Sequence, residues 1–237
     1  MMDWKLKPEG FVLEGIPGFV VLTTGRDGGM PAGRFQVEDL RRVVERAGLR
    51  PKAVIGMGQV HGAVVRRVEG GSNEVVAGCD GLVTGRPEVA LVARSADCLP
   101  IVVWDPVRRV IGVAHAGWRG IRAWVARGLV EELGSGELQA AIGPGIGPCC
   151  YEVGPEFEEW FPQQVVRRQG KRFLDLRGAA CSQLMRAGVA EGNIQVAGWC
   201  TACTPEHCHS YRRDGAAAGR MATVAMMLHL ETSAGRC

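Results

Sequence analysis

Between residues 53 and 114 the chain carries short runs rich in Val and Ile at 53–55, 63–68, 81–83, 89–92, 101–104 and 110–114, separated by Gly, Pro and Asp. Runs this short and this β-branched read as strands, and the breakers between them read as turns. Residues 101–114 read as a hairpin that turns at Asp105-Pro106. Strands crowded together without intervening helices argue against a regular doubly wound βαβ order. Helical patterns lie on either side: 37–47, closed by Gly48; 121–133, closed by Gly134-Ser135-Gly136; 155–161; and 176–187. Further strands are expected at 19–24, which runs into the turn 25–29, and at 138–142 and 194–199; 216–230 is open between a helix and a buried strand. The class is mixed α/β (α+β). With no internal repeat and no long polar linker, a single domain over 1–237 is the expectation.

The longest nearly apolar run, 221–230, is half of what a membrane helix needs, about 20 residues, so it belongs to a core. A net charge of +3 from 28 basic and 25 acidic residues is too mild to imply nucleic acid. No membrane or nucleic-acid partner is therefore expected. The opening Met-Met-Asp-Trp-Lys-Leu-Lys-Pro puts charges where an export signal needs apolar residues, which points to the cytoplasm. Nine cysteines, an odd number, then read as reduced thiols rather than as a disulfide framework, with Cys79, Cys181 and Cys237 as packing residues. The Gly-rich stretch 143–148 lacks the Lys and the spacing of a phosphate or dinucleotide loop, so no nucleotide cofactor is expected.

Of five histidines, His61 and His115 stand at predicted strand ends beside Gly, and Asp97 and Cys98 lie at the junction of two predicted strands between them. Taken singly, each reads as a satisfied interior residue. If the strand ends converge, two imidazoles and a thiolate make a three-ligand zinc site with an open position, the arrangement of catalytic zinc. The separations of 37 and 17 residues match no local metal motif, so only the fold can bring them together.

The ordered words Gln59-Val60-His61-Gly62, Cys79-Asp80-Gly81-Leu82-Val83-Thr84, Ala96-Asp97-Cys98-Leu99-Pro100-Ile101 and His115-Ala116-Gly117-Trp118-Arg119-Gly120 resemble the YfiH/laccase-domain family. So do Ile142-Gly143-Pro144, Cys149-Cys150-Tyr151-Glu152-Val153, Cys200-Thr201, Ser210-Tyr211-Arg212-Arg213-Asp214-Gly215 and Gly219-Arg220-Met221. That family carries the names purine nucleoside phosphorylase, polyphenol oxidase and peptidoglycan editing factor. The resemblance implies a single-domain sandwich of mixed β-sheets flanked by helices, and a metal held by His61, Cys98 and His115. The implied metal is zinc, with copper as the alternative. It also implies phosphorolysis of purine nucleosides (adenosine, inosine, methylthioadenosine), with adenosine deamination as a companion activity. The partners are then a nucleoside and phosphate, and a homodimer is the oligomeric expectation. Two departures stand out: Thr23-Thr24-Gly25-Arg26-Asp27-Gly28-Gly29 has an extra residue and lacks the Asn segment that follows, and Cys208-His209 replaces an aromatic pair.

Phosphorolysis develops positive charge on ribose and negative charge on the departing base, and phosphate must be held close to the anomeric carbon. Arg119, just before a predicted helix at Ile121, and Arg213 are the candidates for phosphate and substrate; Tyr211 and Arg212 are further candidates for the cleft. Asp97 is a candidate catalytic group that orients a ligand or acts as a base. Cys200-Thr201-Ala202-Cys203 followed by His207, Cys208 and His209 reads as a second structural metal site, as reduced thiols in a crowded loop, or as a thiol pair that oxidises. Cys149 and Cys150 are adjacent, so one is expected to pack while the other faces the Gly-Pro loop. Three rival functions keep the same residues: a cysteine hydrolase using Cys98 with His115 or His61, a copper polyphenol oxidase, and a non-catalytic partner module. The oxidase fits least, because five histidines spread along the chain are too few for several coppers.

Overall fold

The computed structural model describes residues 1–33 and 35–229. Two mixed sheets stack on one another. The first runs Asp3–Lys7, Gly10–Glu14, Phe19–Thr24, Met221–Met227, Val89–Ser95, Ala53–Met57, Glu74–Val76 in spatial order, antiparallel as far as Val89–Ser95 and parallel beyond it. The second runs Ile194–Val196, Gln139–Ile142, Leu99–Asp105, Val110–Ala116, Gly81–Thr84, Val65–Arg67, with parallel pairs only at its two edges.

Strand periodicity explains the packing. In Met221–Met227, residues Met221, Ala225 and Met227 enter the core between the sheets, and Ala222, Val224 and Met226 enter a second core against the helix Val37–Arg46. In Leu99–Asp105, Val102 and Trp104 face the inter-sheet core, and Leu99, Ile101 and Val103 face the helices Val125–Leu133 and Leu176–Arg186. Strands apolar on both faces must be covered on both faces, so the layers are helix, sheet, sheet, helix. The mixed α/β class and the flanked sandwich are as the sequence implied.

The structure corrects several local expectations. The helix expected over 121–133 is two, Trp118–Arg122 and Val125–Leu133, because Trp124 has a left-handed backbone (φ 67°) that no helix continues. At the break the buried Gln183 amide donates to the Ile121 carbonyl. The segment 216–230 holds the central strand Met221–Met227; its last residue, like Cys237, lies outside the described residues. The N-terminal strands, the edge strand Glu74–Val76 and a small third sheet (Glu152–Val153, Lys171–Leu174, Val165–Arg168) were not anticipated, because they are short and each mixes charged with apolar residues. The turn of that sheet, Gln169 (φ 51°) and Gly170 (φ 74°), uses the left-handed pair that a two-residue hairpin needs. Among the described residues no helix is long and apolar enough to cross a membrane.

Candidate active site

Strand register brings the three expected ligands together. In the hairpin, Ala116 lies opposite Leu99 and His115 opposite Pro100, so Cys98 and His115 emerge at the same end. Ala114 lies opposite Gly81 in the next strand, and the His115 amide donates to the Asp80 carbonyl at 2.7 Å. The Asp80 side chain, fully buried, then gathers the loop that carries His61: it accepts from the amides of Val60 (3.1 Å), His61 (2.9 Å) and Gly62 (2.7 Å). Its Oδ1 also stands 3.0 Å from His115 Nδ1. An ionised carboxylate only accepts, so Nδ1 carries the proton and Nε2 is left for the site.

The result is a cluster in which the ligand atoms of His61, Cys98 and His115 all lie within 4.8 Å of one another. The imidazoles meet edge to face, with centroids 4.8 Å apart. Left-handed backbone at Gln59 (φ 53°), His61 (φ 60°) and Asp97 (φ 92°) marks strain concentrated at the site, on the order of 1–3 kcal/mol for each such residue. Part of it is held by the Gln59 amide, which exchanges two hydrogen bonds with the backbone of Arg94, at 2.7 and 2.9 Å.

Burial pushes the Cys98 thiol up, but the neighbouring imidazoles, His115 first, outweigh it and bring the thiol down to about 6. Burial pushes His115 down, but the Cys98 thiolate and the Asp80 carboxylate raise it to about 9. Asp80 pays a burial penalty too, and its bonds from His115, Gly62 and His61 still keep it below the usual carboxylate range. A thiolate and two imidazoles suit a borderline-soft divalent ion such as zinc, and copper shares these ligands. Gly117 leaves room for them: a Cβ there would sit 2.8 Å from Cys98 Sγ and 3.3 Å from His61 Cδ2. The residues present therefore fit a metal.

The cluster opens into a cavity of about 500 Å³. Asp97 lines it, but its carboxylate is engaged, accepting from Thr201 Oγ1 and from the Arg212 amide, both at 2.6 Å. Arg119 also lines it, lies over the Trp118 ring at 4.4 Å, and has no carboxylate partner among the described residues. It sits within the short helix Trp118–Arg122 rather than before it. Arg213 is corrected: it lies outside the cavity lining, and its guanidinium is spent on Asp214 and on the carbonyls of Thr201, Ala202 and Cys208. Its neighbours Tyr211 and Arg212 do line the cavity.

Sequence reasoning missed Asp80, Arg94, Arg220 and Tyr151 as individual site residues. Asp80, Tyr151 and Arg220 stood inside the family words, and their place there was the available signal; Arg94 offered none. Burial and then the charge of Arg220 bring Arg94 down to about 10, and its Nε has no hydrogen-bond partner among the described residues. Burial, with the nearby Cys98 and Asp97, pushes the Tyr151 phenol well above its ordinary value, so it is a neutral donor.

Residues 34–228 match the family model described as multi-copper polyphenol oxidoreductase laccase. The chain is 37% identical over 224 residues to a protein of Deinococcus radiodurans named purine nucleoside phosphorylase, covering 84% of this chain and 85% of that one. It is 38% identical over 160 residues to a protein named adenosine deaminase from an unknown prokaryotic organism, covering 62% of this chain and 61% of that one. Its fold is similar to the crystal structure of the Bacillus licheniformis hypothetical protein YfiH, with a TM-score of 0.83 at 26% identity, covering 94% of this chain and 98% of the other. With the matched region spanning most of its length, the chain belongs to the multi-copper polyphenol oxidoreductase laccase family.

Proposed function

We propose that this chain is a zinc-dependent purine nucleoside phosphorylase with accompanying adenosine deaminase activity. One observation carries the reading: the His61, Cys98 and His115 cluster opens into a cavity whose other walls hold guanidiniums (Arg94, Arg119, Arg212, Arg220) beside aromatic rings (Trp118, Tyr151, Tyr211). Guanidiniums without carboxylate partners suit phosphate, and aromatic faces suit a purine. The names of the relatives agree with this reading.

In phosphorolysis a phosphate oxygen bonds to the anomeric carbon while the carbon–nitrogen bond breaks and its electron pair leaves with the base, which takes up a proton. Arg94 and Arg220 hold the phosphate, Arg94 because its Nε has no hydrogen-bond partner among the described residues and its guanidinium rests only over the Phe35 ring, at 3.3 Å. Arg119 lies across Trp118, whose indole is fixed by stacking on Trp160 at 5.3 Å, and completes the anion seat. Tyr151 donates its phenolic proton in a hydrogen bond to the base. Asp97, already bonded to Thr201 and Arg212, positions the loop of Cys98 rather than moving a proton. His61, Cys98 and His115 would hold the zinc, which would supply Lewis acidity for both phosphorolysis and deamination.

The test is purified protein with adenosine, inosine and methylthioadenosine, with and without phosphate, followed for free base and ribose 1-phosphate. His61→Ala abolishes both products under this reading; full turnover in that variant overturns it.

A second reading has its own observation. A Cys98 thiol at about 6 flanked by two histidines is also the arrangement of a cysteine hydrolase acting on an amide. Products separate the two: the phosphorylase releases free base and ribose 1-phosphate only when phosphate is present, and the hydrolase turns over no nucleoside with or without phosphate. The protein acts as a single domain in the cytoplasm, where the free thiols among its described residues stay reduced, and as a homodimer.

A further inference from the structure

Four cysteines outside the catalytic cavity converge from two segments. Gln139–Ile142 and Ile194–Val196 pair in parallel and leave the sheet at the same end, and a Gly145–Cys200 bridge carries the pairing onward. Cys149 and Cys150 lie beyond the first strand, and Cys200 and Cys203 beyond the second. Cys203 Sγ stands 3.5 Å from Cys149 Sγ and 3.2 Å from Cys150 Sγ, and the four sulfurs all lie within 4.8 Å of one another. Sulfurs about 2.3 Å from one tetrahedral zinc are ~3.8 Å apart, inside that spread.

The local backbone suits a metal. Cys200 and Cys203 belong to a tight turn in which the amides of Cys203 and Thr204 donate to the Cys200 carbonyl at 3.1 and 3.2 Å. The Gly147 amide donates to Cys200 Sγ at 3.2 Å, the amide-to-sulfur bond that supports a ligating thiolate. Both adjacent cysteines turn toward Cys203, against the expectation that one of them packs, and neither His207 nor His209 joins the group. Guanidiniums tie down the backbone of both segments: Arg168 donates to the Cys149 carbonyl at 3.0 Å, Arg212 to the Cys150 carbonyl at 3.4 Å, and Arg177 to the carbonyls of Gly145 and Trp199. One disulfide from Cys203 would use two of these sulfurs, whereas a single ion engages all four at once.

We propose that Cys149, Cys150, Cys200 and Cys203 form a second, structural tetrathiolate zinc site, separate from His61, Cys98 and His115. On binding, each thiol still protonated gives its proton to solvent and its sulfur to the ion. The site staples a loop that lines the catalytic cavity through Ile146 and Tyr151 to a second loop that holds a lining residue. Tyr151 follows Cys150 directly, and Thr201, next to Cys200, holds Asp97 at 2.6 Å. Closing a link between segments ~50 residues apart in sequence restricts the unfolded chain, as a cross-link does.

The experiment measures zinc per chain, by elemental analysis of protein purified anaerobically and dialysed, in wild type, Cys203→Ser and His61→Ala. The expected result is two zinc ions in wild type and one in each variant. Cobalt-loaded His61→Ala gives the intense thiolate charge-transfer bands of a tetrathiolate centre, and Cys203→Ser loses them and unfolds at lower temperature. If Cys203→Ser does not fold, the His61→Ala numbers decide alone. Zinc-free His61→Ala, cobalt bound without those bands, or a disulfide within the group in the anaerobic protein each overturns the proposal. An absence of nucleoside turnover leaves these counts unchanged, so this proposal and the functional reading fail separately.

Discussion

Asp80 Oδ1 accepts from the His61 amide at 2.9 Å and faces His115 Nδ1 at 3.0 Å, so one buried carboxylate fixes both the loop of one ligand and the tautomer of the other. Asp80→Asn keeps the shape and loses the charge. It is expected to lower zinc affinity about 10–100-fold, the usual effect of removing a carboxylate behind a ligating histidine. Competition with a chromophoric chelator measures it, and affinity equal to wild type would contradict the role.

The same carboxylate sets an acid limit. Its folded value lies below the ordinary 3.8, so its contribution to stability is complete above 3.8 and is lost as pH falls through the lower folded value. Wild type is expected to lose stability below pH 3.8 more steeply than Asp80→Asn, read from urea unfolding midpoints across that range.

Metal uptake should release protons. Between the Cys98 value of about 6 and the His115 value of about 9, the metal-free site is a thiolate beside an imidazolium, and His115 must give up its Nε2 proton to ligate. Zinc affinity at this site is expected to rise with pH across that window. Calorimetry of Cys203→Ser in buffers of different ionisation enthalpy reads the proton released there.

Gly117 is the narrowest tolerance at the centre. The Cβ of Gly117→Ala would stand 2.8 Å from Cys98 Sγ, so the ligands must spread, at a cost on the order of 1–3 kcal/mol in stability and with loss of zinc. Thermal unfolding with and without zinc measures both effects, and an unshifted zinc-dependent increment would count against a metal at this centre.

Arg94 is a half-buried cation whose nearest charged influence is another cation, Arg220. Arg94→Met is expected to raise the KM for phosphate at least tenfold with little change in stability, because removing a half-buried charge offsets the loss of its contact with the Phe35 ring. Phosphate-dependence curves paired with melting temperatures test it; a loss of stability with an unchanged KM would assign Arg94 to the fold alone.

Most strands between 53 and 116 were legible because each short apolar run meets a breaker: the strands Leu99–Asp105 and Val110–Ala116 and the turn at Asp105-Pro106 fall where the pattern puts them, while the three-residue edge strand Glu74–Val76 was too short to read. The strand Met221–Met227 was ambiguous because a strand buried on both faces loses its alternation and reads like a helix. The polar hairpin Val165–Leu174 was invisible because exposure leaves no apolar period to read.

By itself the sequence determined the mixed class, the strand runs and the residue types able to ligate a metal, because local periodicity and side-chain chemistry need no partner. Only the tertiary structure decided that His61, Cys98 and His115 meet, that Arg213 serves a loop while Arg94 faces the cavity, and that Cys149 and Cys150 join Cys200 and Cys203. Those outcomes depend on strand register between segments distant in the chain, where a shift of one residue turns each side chain to the opposite face, and the spacing along the sequence carries no trace of it.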